Sequence, residues 1–131
     1  MGANHNNYMN NRILLVDDDK LTLNITTIIL RKKGYEVETR EYANGVLEQI
    51  EDFKPNLIIL DAKLPDGDGR DICRHIKLSP HLQHIVVLMC SGLMDIMEAY
   101  NQQGPPDGIL SKPFDMLQFI NLIGNKLPLA A

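Results

Sequence analysis

The feature that most constrains the fold of this chain is a regular alternation of short apolar runs with longer amphipathic stretches. The short runs predict strands at residues 12–16, 35–39, 57–60, 85–89 and 109–110, and the long stretches predict helices at residues 20–33, 44–52, 70–78, 93–103 and 114–127. Elements that alternate in this way form a parallel sheet with helices packed on it. Because the crossovers are right-handed and both sheet faces need cover, we expect a doubly wound α/β sandwich of five strands and five helices.

Polar residues stand at the ends of four of these predicted strands. The first strand runs into Asp17 and Asp18, the third into Asp61, the fourth reaches Ser91, and Lys112 follows the fifth. In doubly wound sheets the ligand site lies beyond the carboxyl ends of the strands. We therefore expect these side chains to converge on one site.

The residue types at the strand ends indicate phosphoryl chemistry. Neighbouring carboxylates raise one another's pKa, and a divalent cation with a preference for hard oxygen ligands, such as Mg²⁺, would neutralise them. A carboxylate can also act as a nucleophile and form an acyl phosphate. The metal, a lysine ammonium and a hydroxyl would then share the charge of the transferred group. The glycine-rich stretch at residues 67–69 lacks the lysine and serine of a nucleotide P-loop.

Length and composition restrict the class of protein. At 131 residues the chain has the length of one domain, with a formal net charge of −4 and no basic cluster longer than residues 31–33. This balance argues against direct binding to nucleic acid or to a membrane, and no apolar stretch approaches the roughly 20 residues of a spanning helix. Cys73 and Cys90 fall inside predicted elements as small core residues, which fits a cytoplasmic protein. We interpret residues 1–11 as a disordered leader, 12–127 as the domain and 128–131 as a tail.

Four short segments follow the predicted strands in a fixed order: ILLVDDD at residues 13–19, LDAKLP at 60–65 with Asp68-Gly69, CSG at 90–92, and SKPF at 111–114. Each segment alone is a weak signal, whereas all four at these intervals are specific. Together they resemble the receiver domain of bacterial two-component response regulators, and the resemblance covers about residues 12–127. It implies a flavodoxin-like fold with strand order 2-1-3-4-5.

The resemblance implies a phospho-acceptor and a metal site. Asp61 would take a phosphoryl group from a sensor histidine kinase or a histidine phosphotransfer protein. Asp18 would be the main carboxylate ligand of Mg²⁺ or Mn²⁺, with Asp61 and with Asp17 acting partly through water. The backbone carbonyl of Lys63 would complete the protein ligands. The domain would be a signalling phospho-acceptor with slow self-dephosphorylation rather than an enzyme.

The resemblance also implies how the phosphoryl group would be held and sensed. Lys112 would pair with the phosphoryl oxygens, and Pro113 would follow it through a cis peptide bond. Ser91 would turn toward the phosphoryl group as the first switch residue. The second switch position, three residues before the lysine, usually carries Tyr or Phe, but here it is Ile109. The usual coupling of a hydroxyl to an aromatic ring is therefore in doubt.

Three other functions fit part of the same sequence. A pseudo-receiver would act as an interaction module that never takes phosphate, but the chain retains all five site residues. An aspartyl-phosphate phosphatase needs a second carboxylate two residues after its nucleophile, where this chain has Lys63. A flavodoxin-like electron carrier needs a hydroxyl-rich phosphate loop after the first strand, where this chain has acids.

Excess apolar residues on the last two predicted helices indicate a protein-binding face. Met94 and Leu117 lie off the stripes that one core needs, and overfilling of partly buried positions explains them equally well. The alternative is a face for a downstream protein, built from the fourth helix, fifth strand and fifth helix; a homodimer through this face stays open. No output module follows Leu127, so we expect a stand-alone receiver or a segment of a larger regulator or hybrid kinase.

Overall fold

The computed structural model describes residues 11–129, so most of the predicted leader and half of the predicted tail lie outside the described range. The strands are Arg12–Val16 (β1), Glu36–Arg40 (β2), Leu57–Leu60 (β3), Val86–Ser91 (β4) and Gly108–Ser111 (β5). The helices are Lys20–Lys33 (α1), Val46–Phe53 (α2), Gly69–Leu78 (α3), Leu93–Tyr100 (α4) and Met116–Lys126 (α5). Two further strands of two residues each, Lys63–Leu64 and Gly67–Asp68, form a small antiparallel hairpin between β3 and α3.

The five main strands form one parallel sheet in the order β2-β1-β3-β4-β5, which confirms the predicted doubly wound α/β fold. Val16 of β1 pairs with Leu60 of β3, so the residues that follow them, Asp17 and Asp61, leave the sheet side by side. Ser91 of β4 pairs with Ser111 of β5, which places Lys112 next to Ser91. The register therefore brings the polar strand ends to one edge.

Two apolar layers cover the sheet. Successive residues of a strand point to opposite faces, and both sets are buried in β1, β3 and β4. On one face, Leu14, Ile58 and Val87 pack with α2, α3 and α4. On the other face, Leu15 and Ile59 pack with α1 and α5. Within residues 11–129, no helix has the length and apolar character needed to cross a bilayer.

The buried face of α1 differs from the expectation. The bounds of this helix were predicted correctly, with Asp19 as its N-cap and Gly34 ending it in the left-handed region at φ 109°. The spacing of Leu21, Ile25, Ile28 and Ile29 predicts a core stripe, but the first three side chains are exposed and Ile29 is only half-buried. The buried stripe consists of Leu23, Thr26 and Leu30. The prediction was wrong because a threonine completes the true stripe, which makes it look less apolar than the exposed one.

Some element ends also moved. The helix predicted over 44–52 begins two residues later, because Gly45 adopts φ 88° immediately before it. The helix predicted over 93–103 ends at Tyr100, and the helix predicted from residue 114 begins after its cap Asp115. Strand β2 is shifted by one residue from 35–39, and Asn11 of the predicted leader holds it by accepting a hydrogen bond from Glu36 N at 2.9 Å.

Candidate functional site

Backbone hydrogen bonds extend the sheet by one residue and fix the start of the site. Asp17 N donates to Arg40 O at 3.1 Å, and Asp61 N donates to Val16 O at 3.0 Å. On the other side, Lys112 N donates to Ser91 O at 2.8 Å. The site residues are therefore carried by the sheet itself, which holds them more rigidly than a loop would.

The Asp61 carboxylate is the centre of the site. It is 8% exposed and accepts three hydrogen bonds. Ser91 Oγ and the backbone N–H of Lys63 both donate to Oδ1 at 3.0 Å, and Lys112 Nζ donates to Oδ2, also at 3.0 Å. If a negatively charged group were attached to this carboxylate, the same three donors would lie close enough to stabilise its charge.

Lys112 links two carboxylates that come from different strands. Its ammonium lies 2.9 Å from Asp17 Oδ2 as well as 3.0 Å from Asp61 Oδ2. Burial alone would lower the pKa of Lys112, but the hydrogen bonds that it donates to Asp17 and Asp61 raise it above the usual lysine value. Lys112 therefore stays charged throughout the neutral range. Its stabilising effect is lost only when the pH rises above the pKa of an ordinary lysine.

The site carries an excess of negative formal charge, which a divalent cation would neutralise. Oxygen atoms of Asp17, Asp18 and Asp61 lie within 4.8 Å of one another. Burial raises the pKa of Asp17 above its usual value, against the lowering effect of its hydrogen bonds from Asp19 and Lys112. Three carboxylates and one ammonium give the site a formal charge of −2. An all-oxygen set with this charge matches the preference of Mg²⁺.

The segment after Asp61 is held by contacts that the sequence did not reveal. Asp66, in the turn of the small hairpin, accepts hydrogen bonds from Ala43 N at 2.7 Å and Asn44 N at 2.9 Å, which lower its pKa. Gly69 N donates to Ala62 O at 2.8 Å, and a side chain at Gly69 would overlap the carbonyl oxygen of Asp61. The motif Asp68-Gly69 marks this place in the sequence, but only the structure gives the reason for its glycine.

The remaining predicted residues lie around this centre. The Lys112–Pro113 peptide bond is cis. Ile109 is half-buried on β5 and packs against the layer formed with α4. Burial raises the pKa of the free thiols of Cys73 and Cys90 to about 12, and both lie in the core as predicted. Asp19 caps α1 and is not part of the carboxylate cluster.

A family profile for the response regulator receiver domain matches residues 13–124, which is most of the chain. The chain belongs to the response regulator receiver domain family. The sequence resemblance is thereby confirmed. Receiver domains are signalling modules of two-component systems, act with histidine kinases and downstream effectors, and bind Mg²⁺ at an acidic pocket.

Relatives of this receiver differ in length. The sporulation initiation phosphotransferase F of Bacillus subtilis is 28% identical over 123 residues, which cover 92% of this chain and 97% of the relative. The DNA-binding response regulator MtrA of Mycolicibacterium paratuberculosis is 25% identical over 91% of this chain, but the match spans only 52% of MtrA. A CheY-like receiver domain protein from Methanospirillum hungatei is 34% identical, with a TM-score of 0.76 over 88% of this receiver and 92% of that chain.

Proposed function

We propose that this receiver takes a phosphoryl group onto Asp61 from a histidine kinase or a histidine phosphotransfer protein, and that the modified domain changes its binding to another protein. One observation carries the proposal: a buried carboxylate receives three donors and lies beside two further carboxylates. A purely structural carboxylate needs no such surplus of negative charge around it.

In the proposed reaction, a carboxylate oxygen of Asp61 attacks the phosphorus of a phosphohistidine. The P–O bond forms as the P–N bond breaks, and the departing imidazole keeps the electron pair and takes a proton from solvent. Lys112 and Ser91 already contact Asp61 through its two different oxygens, so both can donate to the phosphoryl oxygens without a large rearrangement. We expect slow hydrolysis of the acyl phosphate by water to reset the domain.

We assign the cation to Asp17, Asp18 and Asp61, with the backbone carbonyl of Lys63 as a fourth protein ligand. When bound, Mg²⁺ neutralises these carboxylates and the oxygens of the incoming phosphoryl group. Asp18 is exposed and Asp17 is nearly buried, which fits the expectation that they contribute differently. The hydrogen bond from the Lys63 N–H to Asp61 Oδ1 supports this assignment, because it keeps the backbone of Lys63 beside the carboxylates.

The test is the intact mass of the protein after incubation with Mg²⁺ and acetyl phosphate. We expect the wild type to gain one phosphoryl group, and we expect no gain with EDTA or with Asp61→Asn, which keeps the size of the side chain. Binding of beryllofluoride, a mimic of the phosphoryl group, is measured in parallel. A protein that neither gains mass nor binds beryllofluoride would be a pseudo-receiver.

We further propose that the donor protein docks on the exposed apolar face of α1. Leu21, Ile25 and Ile28 lie one helical turn apart and are 67%, 43% and 59% exposed. An open groove of about 520 Å³ continues this face to Phe114 and Met116, and Lys112 also lines it. A helical donor seated there would place its phosphohistidine next to the site.

Ile25→Glu should lower the rate constant for transfer from a phosphorylated histidine phosphotransfer protein by about 10–100-fold, because it puts a charge at the centre of this face. Labelling by acetyl phosphate should stay at the wild-type rate. The donor is chosen from a panel as the one that labels the wild type fastest. Leu78→Glu, an exposed leucine at the end of α3, is the matched control. Equal loss of both labelling reactions would exclude a docking role for α1.

We propose the surface of α4, β5 and α5 as the face for the downstream protein. Met94 of α4 is 75% exposed and Leu117 of α5 is 66% exposed. Met94→Glu with Leu117→Glu should weaken beryllofluoride-dependent binding to a downstream protein, or to a second copy, by about tenfold or more. Sedimentation velocity with and without beryllofluoride measures the self-association. Unchanged partner binding and an unchanged oligomeric state would show that these are exposed apolar residues without a binding role.

A further inference from the structure

Helix α4 is held to the rest of the domain by little apolar surface. Only Ile96 and Ala99 of its eight residues are buried. Gly92, its N-cap, provides no side-chain hydrogen bond to the first turn. Ser91 of the phosphorylation site directly precedes this cap. The orientation of α4 therefore depends strongly on its polar contacts.

Those polar contacts form one continuous stripe. Asp95, Glu98 and Gln102 are spaced at i, i+3 and i+7, which places them on one side of α4 and of the turn after it. Each of them has a partner in the segment that follows Asp61, and Gln102 also donates to the carbonyl of Gly104 at 3.1 Å. We call this set the α4 seam, and it consists of Asp95, Glu98 and Gln102 with Lys63, Arg70 and Arg74.

The contacts of the α4 seam are two ion pairs and two hydrogen bonds. Lys63 Nζ lies 3.7 Å from Asp95 Oδ2, and Arg70 Nη1 lies 3.3 Å from Glu98 Oε2. Gln102 Nε2 donates to the backbone carbonyl of Arg70 at 2.9 Å. Arg74 Nη2 donates to Gln102 Oε1 at 3.3 Å.

The segment side of the seam is tied to the phosphorylation site. The backbone N–H of Lys63 donates to Asp61 Oδ1 at 3.0 Å, so the backbone that carries the Lys63 side chain is in contact with the acceptor. Arg70 follows Gly69, which touches the Asp61 carbonyl, and Asp68 fixes its guanidinium at 2.7 Å. A charge added at Asp61 therefore acts directly on the residues that hold α4.

We propose that the α4 seam holds α4 in its unphosphorylated arrangement, and that a phosphoryl group on Asp61 weakens the seam by drawing Lys63 away from Asp95. The inference rests on the proposed phospho-acceptor function. A phosphoryl group carries nearly two negative charges, whereas Asp95 carries one. The seam couples the site to α4 through charge. This matters in a domain whose second switch position is Ile109, because an aromatic residue is missing there.

The test compares the wild type with Asp95→Asn/Glu98→Gln, which removes both ion pairs and keeps side-chain size. Amide hydrogen exchange of α4 is measured with Mg²⁺, in the presence and absence of beryllofluoride. In the wild type, beryllofluoride should speed the exchange of α4 amides about fivefold. In the variant, exchange should be faster by that factor without beryllofluoride and should change little when it is added.

Beryllofluoride affinity provides the second measurement. Because coupling is reciprocal, a variant that has lost the seam should bind beryllofluoride about fivefold more tightly. Glu48→Gln/Asp52→Asn removes two exposed acids from one face of α2 and should leave both measurements at their wild-type values. If the seam variant binds beryllofluoride but gives the same two values as this control, the proposed coupling through the α4 seam is wrong, whereas the phospho-acceptor function stands. A wild type that fails to bind beryllofluoride would overturn the phospho-acceptor function together with the coupling.

Discussion

Lys112→Met should reduce the rate of phosphorylation by acetyl phosphate about 10²-fold, the usual effect of removing one donor that faces developing charge. The same change should lower the free energy of unfolding without metal by roughly 1–3 kcal/mol, because Asp17 and Asp61 lose their shared cation while nearly buried. The expected loss in free energy is smaller than for a fully buried ion pair, because the Lys112 side chain is 33% exposed. Urea unfolding and intact mass measure the two effects.

Mg²⁺ should distinguish this explanation from general damage to the fold. Without the ammonium, the carboxylates have no competing positive charge, so Mg²⁺ should stabilise Lys112→Met more than it stabilises the wild type. Lys126→Met is the control, because Lys126 donates to the backbone carbonyl of Asp107 at 3.2 Å, on a different part of the molecule. Wild-type phosphorylation by Lys112→Met would exclude a role of this lysine toward the phosphoryl group.

The sheet and the meeting of the polar residues could be predicted from the sequence for one physical reason. Strands β1, β3 and β4 are buried on both faces, so the apolar run of each stops at the end of the strand or one residue before it. Parallel strands then bring these ends to the same edge, as Asp17, Asp61 and Lys112 illustrate. The prediction needed no knowledge of side-chain packing, only of where each apolar run stops.

The face of α1 and the contacts after Asp61 could not be predicted in the same way. Helix α1 carries two stripes of similar spacing, and burial of Thr26 in place of Ile25 depends on what the neighbouring strands and α5 leave free. The bonds of Asp66 to Ala43 and Asn44 join two loops that are distant in the sequence. Contacts between loops have no periodicity, so a single sequence carries no signal for them.

Among substitutions that add one methyl group to the segment after Asp61, Gly69→Ala should have the largest effect on stability. The added Cβ would overlap the carbonyl oxygen of Asp61 and lie 2.9 Å from its carbonyl carbon and 3.1 Å from Ala62 Cα. These are backbone atoms that cannot turn away, unlike the end of a flexible side chain. We expect a loss of about 3 kcal/mol in the free energy of unfolding, which urea titration measures.

The same overlap should impair function in the fraction that remains folded. A shift of about 1 Å in the Asp61 backbone would misplace its carboxylate against Lys112 and Ser91, at a cost of about 10²-fold in phosphorylation rate. Gly124→Ala in α5 is a matched control, since a Cβ there meets nothing within 4 Å and a helix gains about 0.5–1 kcal/mol from the change. Both rates are measured at low temperature, where circular dichroism shows each variant folded. A Gly69→Ala protein with wild-type stability and rate would mean that the segment relaxes freely, and that the close approach of Gly69 to Asp61 does not position the acceptor.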